Sequence, residues 1–233
     1  MNPNQLILRN LIKTQTEILQ FSRSNYEDNI FPLLNKMRID LYNKLETIKL
    51  TGITNKQRTQ RLNDLFKQTD ELIEDYYIKI AKKNRKAVYE SAEMTNELFK
   101  MRFNRDLGEG LFNVLDLKRL EAVTSKDVFG SQTLKRSSGQ WWDMQAKGLQ
   151  KKYREVVELG IAENEPMYKI IQKIRGSRVA KYSDGIMKIS YMQAKILARS
   201  SIIQVSNATR MKIYQENSDI LSGIKWISTL DSR

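Results

Sequence analysis

The sequence predicts a mainly α-helical protein: a long N-terminal helical hairpin followed by a smaller α+β unit that closes on a short strand or small sheet. Three observations carry this. Only three prolines (Pro3, Pro32, Pro166) and ten glycines punctuate 233 residues, so long segments are free of helix breakers. Apolar residues recur at spacings of three and four along most of the chain, the period of a helix that buries one face. Near the end, Ile224-Lys225-Trp226-Ile227-Ser228-Thr229 turns β-branched and aromatic, which reads as a strand.

The first helix is expected over 4–21, with Leu8, Leu11, Ile12, Gln15, Ile18 and Leu19 as its stripe. Residues 22–29 are polar and break the pattern. A second helix begins near Ile30, tolerates Pro32 in its first turn, aligns Leu34, Met37, Leu41, Leu45 and Ile48, and ends at Thr51-Gly52-Ile53. Thr54-Asn55-Lys56-Gln57 is a capping-box pattern, with Ile53 placed to staple it. From there Leu62, Leu65, Phe66, Thr69, Leu72, Ile73, Tyr76, Ile80, Ala87 and Ser91 keep a helical period toward Arg105. About fifty residues of helix span ~75 Å. Such a helix is expected to pack against the first two helices, with the second antiparallel on its first half, and to leave length for a neighbouring subunit.

The character changes at residue 107. Gly108 and Gly110 break the helix, 114–122 suits one short helix, and the Ser/Gly-rich stretch 125–139 reads as a linker or a loop that wraps a partner. The expected division is therefore a helical domain 1–106, a linker or wrapping loop 107–139, and a second domain 140–233. Helix resumes over 140–161 on Trp142, Leu149, Tyr153, Val156 and Val157. Trp141-Trp142 has two readings, a stacking platform for bases or a core anchor beside a helix seam; the second is preferred. Pro166 opens a short helix over 167–174, and Ser183-Asp184-Gly185 suggests a small hairpin over 179–189.

The last helix is expected from Gln193. Ala194, Leu197, Ala198, Ser201, Val205 and Ala208 give it a small-residue face that another helix approaches closely. Ile196, Ile202, Ile203, Ile213 and Tyr214 lie off that face, so the helix should be central and packed on two sides.

Composition excludes much chemistry. There is no Cys and no His, hence no disulfide, thiolate nucleophile, imidazole base or ordinary zinc site. Asp70, Glu71, Glu74 and Asp75 lie a turn apart, but with Lys67 and Lys79 alongside they read as a solvated helix face and not as a cation site. Gly108-Glu109-Gly110 lacks the strand and spacing of a phosphate loop. No catalytic residue, cofactor or metal is expected. No apolar run approaches the ~20 residues of a membrane span, and the N-terminus lacks the parts of a signal peptide. The chain is expected to be made in the cytoplasm.

The net charge is +13. It is concentrated: residues 167–212 hold ten basic side chains and one acid, Asp184. Such a local field suits a polyanion. Lys169, Lys173, Arg175, Arg178, Lys181, Lys195, Arg199 and Arg210 are the candidate contacts to double-stranded DNA, through phosphates and independent of sequence. Lys188 joins them only if the last helix begins before 193. Arg199 has an equal second reading, a buried pair with Asp231.

Residues 193–233 also carry a family pattern. Ala198-Arg199-Ser200, then Asn207 and Arg210, then Trp226, Asp231 and Arg233 resemble the phage head morphogenesis (minor head) proteins of the Mu F type. That family reads Ala-Arg-Thr, Asn-x-x-Arg and Trp-x-x-x-x-Asp-x-Arg-Thr-Cys; here Ser200 replaces the Thr. The family pattern continues into Cys/His-containing sequence beyond the point reached by Arg233, so the resemblance implies a domain cut short at its C-terminal end. It covers roughly 143–233. It implies a minor capsid protein in the virion, in the head interior or at the portal vertex. The implied partners are the portal protein, other head proteins and packaged DNA, with an oligomer around the portal possible, and the role is in head assembly, DNA packaging or genome ejection. The alternative, which needs the charge alone, is a helical protein outside any particle that binds nucleic acid without sequence preference.

Overall fold

The computed structural model describes residues 3–108, 110, 112–125, 128–129, 136–221 and 223. The protein is mainly helical. Its spine is one helix, α3, Asn55–Leu107, of 53 residues. The expected capping box starts it: Thr54 accepts from the Gln57 amide, and the Gln57 side chain accepts from the Thr54 amide. At 1.5 Å per residue α3 spans about 80 Å.

The chain before α3 lies antiparallel along it. Helix α1 (Pro3–Ser24) follows the second half of α3, and α2 (Phe31–Glu46) follows the first half. The polar stretch expected to break the pattern instead carries the helix through as a π turn, Asn25–Ile30. Its wider winding is held by a buried contact. Asn25 donates to Asn84 of α3 at 3.3 Å, and both side chains are buried.

The outcome for α2 matches the expected stripe as far as Leu45, with Leu34, Met37, Leu41 and Leu45 fully buried, but the helix ends at Glu46, before the expected Thr51-Gly52-Ile53, and Ile48 lies past it, half-buried. For α1 the stripe turns. Ile18 is buried with the polar Asn10, Thr14 and Ser22, while Leu8, Ile12 and Leu19 are exposed. The cause lies on α3. Arg102 is buried there, bonds Glu17 at 2.6 Å, and also donates to Thr14; Asn10 donates to Asp106. A buried guanidinium must find acceptors, and the α1 face that offers them is the one that goes inward.

After α3, residues 112–116 pack on the chain's own core. Asn96 and Asn217 each exchange two hydrogen bonds with this segment: Asn96 with Leu115 (both 2.9 Å) and Asn217 with Asn113 (2.7 and 2.8 Å). Helix α4, Leu117–Ser125, follows, then a two-residue antiparallel ladder, β1 (Val128–Phe129) with β2 (Arg136–Ser137).

Helix α5 (Ser138–Ala162) opens on a second capping box, Ser137 with Gln140, and runs antiparallel to the first half of α3. Trp142 is 1% exposed and packs on Tyr77, with ring centroids 6.2 Å apart. It anchors the core and offers no face to a base. Helix α6 is Met167–Arg175. Helix α7, Met187–Glu216, runs parallel to α3, with Ser201 against Asn84 and Tyr214 against Phe99.

The core has two parts along the spine. One gathers α2, the first half of α3, α5, α6 and the start of α7. The other gathers α1, the second half of α3, residues 112–120 and the end of α7. The length of α3 is thus covered by helices of this same chain from both sides of the sequence.

Two expectations change here. The hairpin expected over 179–189 is a loop of turns leading into α7, which begins six residues earlier than Gln193. Helix α7 buries Ala194, Ala198, Ser201 and Val205 of its small face, while Leu197 is half-buried, Ala208 is exposed, and Ile189, Met192 and Ile196 on another side are exposed. Of the residues off the small face, Ile202 and Ile213 are fully buried as expected, so the packed arc is broad, but Ile196 is not and that side of the helix is open. The strand expected over 224–229 lies outside the described residues; among those, the part after residue 137 is helix and turn.

Candidate nucleic-acid interface

The basic segment is built from α6, the loop 176–186 and α7. Ile170, Ile171 and Ile174 bury one side of α6, which leaves Lys169 and Lys173 on the exposed side. Close packing needs Gly160 of α5, where a Cβ would lie 2.6 Å from Cγ1 of Ile170.

The loop is clasped. Gly176 has φ of +90°, a conformation that favours glycine. The Asp184 carboxylate accepts from the Ser177 amide and the Ser177 hydroxyl, both at 2.6 Å. These bonds hold the Asp184 carboxyl below its ordinary range, the hydroxyl contributing most. Gly185 passes so close that a Cβ there would lie 2.6 Å from both the Gly176 nitrogen and the Ile174 carbonyl oxygen. The Ile186 amide donates to the Lys173 carbonyl at 3.1 Å and ties the loop back to α6. Arg178 and Lys181 are exposed on the outside of this clasp.

The eight candidate contacts separate. Lys169, Arg178, Lys181 and Lys195 are exposed, and none makes an ion pair among the described residues. Lys173 does not join them, because its ammonium lies 2.7 Å from Glu165 and its charge is matched. Arg175 turns inward, half-buried between the rings of Tyr182 and Tyr42 at 5.4 and 5.7 Å. The faces of those rings take the place of a carboxylate. Arg199 is half-buried with no ion pair among the described residues. Arg210 is half-buried and donates to Asn207 one turn back; burial without a carboxylate lowers its pKa. Asn207 and Arg210 are therefore hydrogen-bonded neighbours. Trp226, Asp231 and Arg233 lie outside the described residues, and so does any pair between Arg199 and Asp231.

Two further basic residues enter: Lys188, on the condition the sequence set, and Arg38, which the spacing did not select. Lys188 is exposed on the first turn of α7 because the helix starts at Met187. Arg38 of α2 is 8% exposed, stacks on Tyr182 at 4.9 Å and donates to the Arg175 carbonyl at 3.3 Å. It lies beside Met37 and Leu41 on a buried stripe, and a charge in that position was the available signal. Tyr182 thus receives two arginines and fixes the loop to α2.

Lys169, Arg178 and Lys181, three exposed cations on α6 and its clasped loop, suit phosphate contact. They present charge, without the ordered donor and acceptor pattern that reads bases. In the acidic cluster on the first half of α3, Asp70 pairs with Arg154 and Asp75 with Lys79. Among the described residues no group of acidic side chains is arranged to hold a metal ion, and no helix is long and apolar enough to cross a membrane. No family model, curated protein or solved structure matches this chain.

Proposed function

We propose that this chain is a phage minor head protein that joins the portal vertex and contacts packaged DNA through the loop 176–186 and the exposed side of α6. The observation that carries the DNA contact is the set Lys169 on α6 and Arg178 and Lys181 on the loop clasped by Ser177 and Asp184, all exposed and without ion pairs among the described residues. The head assignment rests on the order Arg199, Asn207, Arg210, Trp226, Asp231 and Arg233 in the sequence. In this reading the chain belongs in the virion, with the portal and other head proteins as partners, and acts in assembly, packaging or ejection.

The test is mass spectrometry of purified virions and proheads from the source phage. The chain should appear in low copy, and its absence from both would exclude a structural role in the particle. A second reading is favoured by the cations taken alone, since they do not depend on the family pattern: a nucleic-acid-binding helical protein outside any particle. Genes for a portal and a terminase beside this one support the first reading; their absence supports the second.

A further inference from the structure

The outward side of α7 carries apolar side chains that the fold leaves uncovered. Ile189, Met192 and Ile196 are 47%, 59% and 59% exposed. Single exposed apolar side chains are ordinary. These three are spaced i, i+3 and i+7, so they fall within about 60° of one another on the helix. Lys188, Lys195 and Arg199, at i, i+7 and i+11, form a second row beside them, within about 40°. Beyond that row lies Phe31, 43% exposed, its ring 5.5 Å from that of Tyr191. The surface is a strip of cations edged by apolar side chains, carried on a helix whose other side is locked into the core.

We propose that this strip docks an acidic amphipathic helix of a partner protein, whose apolar side covers Ile189, Met192 and Ile196 and whose carboxylates meet Lys195 and Arg199. The spacing is that of a helix ridge, which a second helix fits by the same packing that α7 makes with α3. The charge selects an acidic partner, because neither Lys195, whose ammonium lies 6.0 Å from the Tyr26 ring centroid, nor Arg199 has an ion pair among the described residues. A second copy of this chain is disfavoured: an isologous contact would set these cations against each other on a chain of net charge +13. Duplex DNA is disfavoured too, because phosphates would lie against three large apolar side chains and return nothing for them. The basic residues of the segment thereby divide into a phosphate group on α6 and the loop, and a protein-docking group on α7. This inference stands whether or not the chain belongs to a phage head.

The probe is a synthetic helical peptide of about five turns, with Leu at i, i+3 and i+7 repeats and Glu on the flanking positions, titrated into the full chain by fluorescence anisotropy. Saturable binding is expected. Met192→Ser with Ile196→Ser, and separately Lys195→Glu, should each weaken it at least about tenfold, or about 1.4 kcal/mol. Both variants alter exposed positions, and their unchanged circular dichroism will show that they fold. The serine pair should leave affinity for a short DNA duplex unchanged, and neutralising Lys169, Arg178 and Lys181 should leave the peptide bound. Four results overturn the proposal: no saturable binding; equal binding of a scrambled peptide of the same composition; binding of anionic lipid vesicles, lost in the serine pair, in place of the peptide; or self-association that the serine pair abolishes.

Discussion

Neutralising Lys169, Arg178 and Lys181 together to glutamine tests the phosphate-contact reading most directly. Each is exposed and lacks an ion pair among the described residues, so each is free to displace one counterion from a duplex. The logarithm of affinity changes with the logarithm of salt by about −0.9 per phosphate contact. Losing three contacts should make the slope shallower by about 2.7. From 50 to 200 mM salt, a fourfold change, the parent should then lose about 40 times more affinity than the variant loses. Lys173→Gln is the internal control. Its ammonium is held by Glu165 at 2.7 Å, so its loss should leave the slope nearly unchanged. The assay is anisotropy of a labelled duplex at a series of salt concentrations, with two unrelated sequences giving the same curve. Exposed substitutions of this kind change stability by no more than about 0.5 kcal/mol, so a folding defect will not mimic the effect. An unchanged slope in the triple variant, or no binding by the parent at low salt, would refute the assignment of these three cations to phosphate.

Three further outcomes follow from packing and charge. Arg199→Ala should cost less than about 1 kcal/mol in urea unfolding, as for a half-exposed cation; a loss of about 3–5 kcal/mol would instead reveal a buried pair with Asp231. Asn84→Ala removes the partner of two buried groups, Asn25 and Ser201, and should cost about 2–4 kcal/mol in the same experiment; a loss under about 1 kcal/mol would mean the junction is not held there. The Asp184 carboxyl titrates below its ordinary value of 3.8, so the clasp's contribution is fully present above that pH and is lost as pH falls through the lowered value. The Ser177 amide resonance, followed by NMR, should move with a midpoint below 3.8, and a midpoint at or above it would contradict the clasp.

What the sequence determined by itself was local. The capping box at Thr54, the unbroken helix behind it, the buried stripe of α2 and the core role of Trp142 were all legible, because each depends on residues within a few turns of one another. The concentration of charge over 167–212 was legible for the same reason. Tertiary structure decided what depends on distant partners. Periodicity put Leu8, Ile12 and Leu19 on the inner face of α1, but the acceptors required by Arg102, some ninety residues later, turned Asn10 and Thr14 inward. The polar residues 22–29 lacked an apolar pattern, yet Asn84 gave Asn25 a buried partner and the helix continued as a π turn. Charge alone could not separate Lys173 and Arg175 from Lys169, Arg178 and Lys181. Only the positions of Glu165, Tyr42 and Tyr182 show which cations are already satisfied within the fold and which face solvent. A side chain's type sets what it can bind, whereas its availability depends on neighbours that folding brings from elsewhere in the chain.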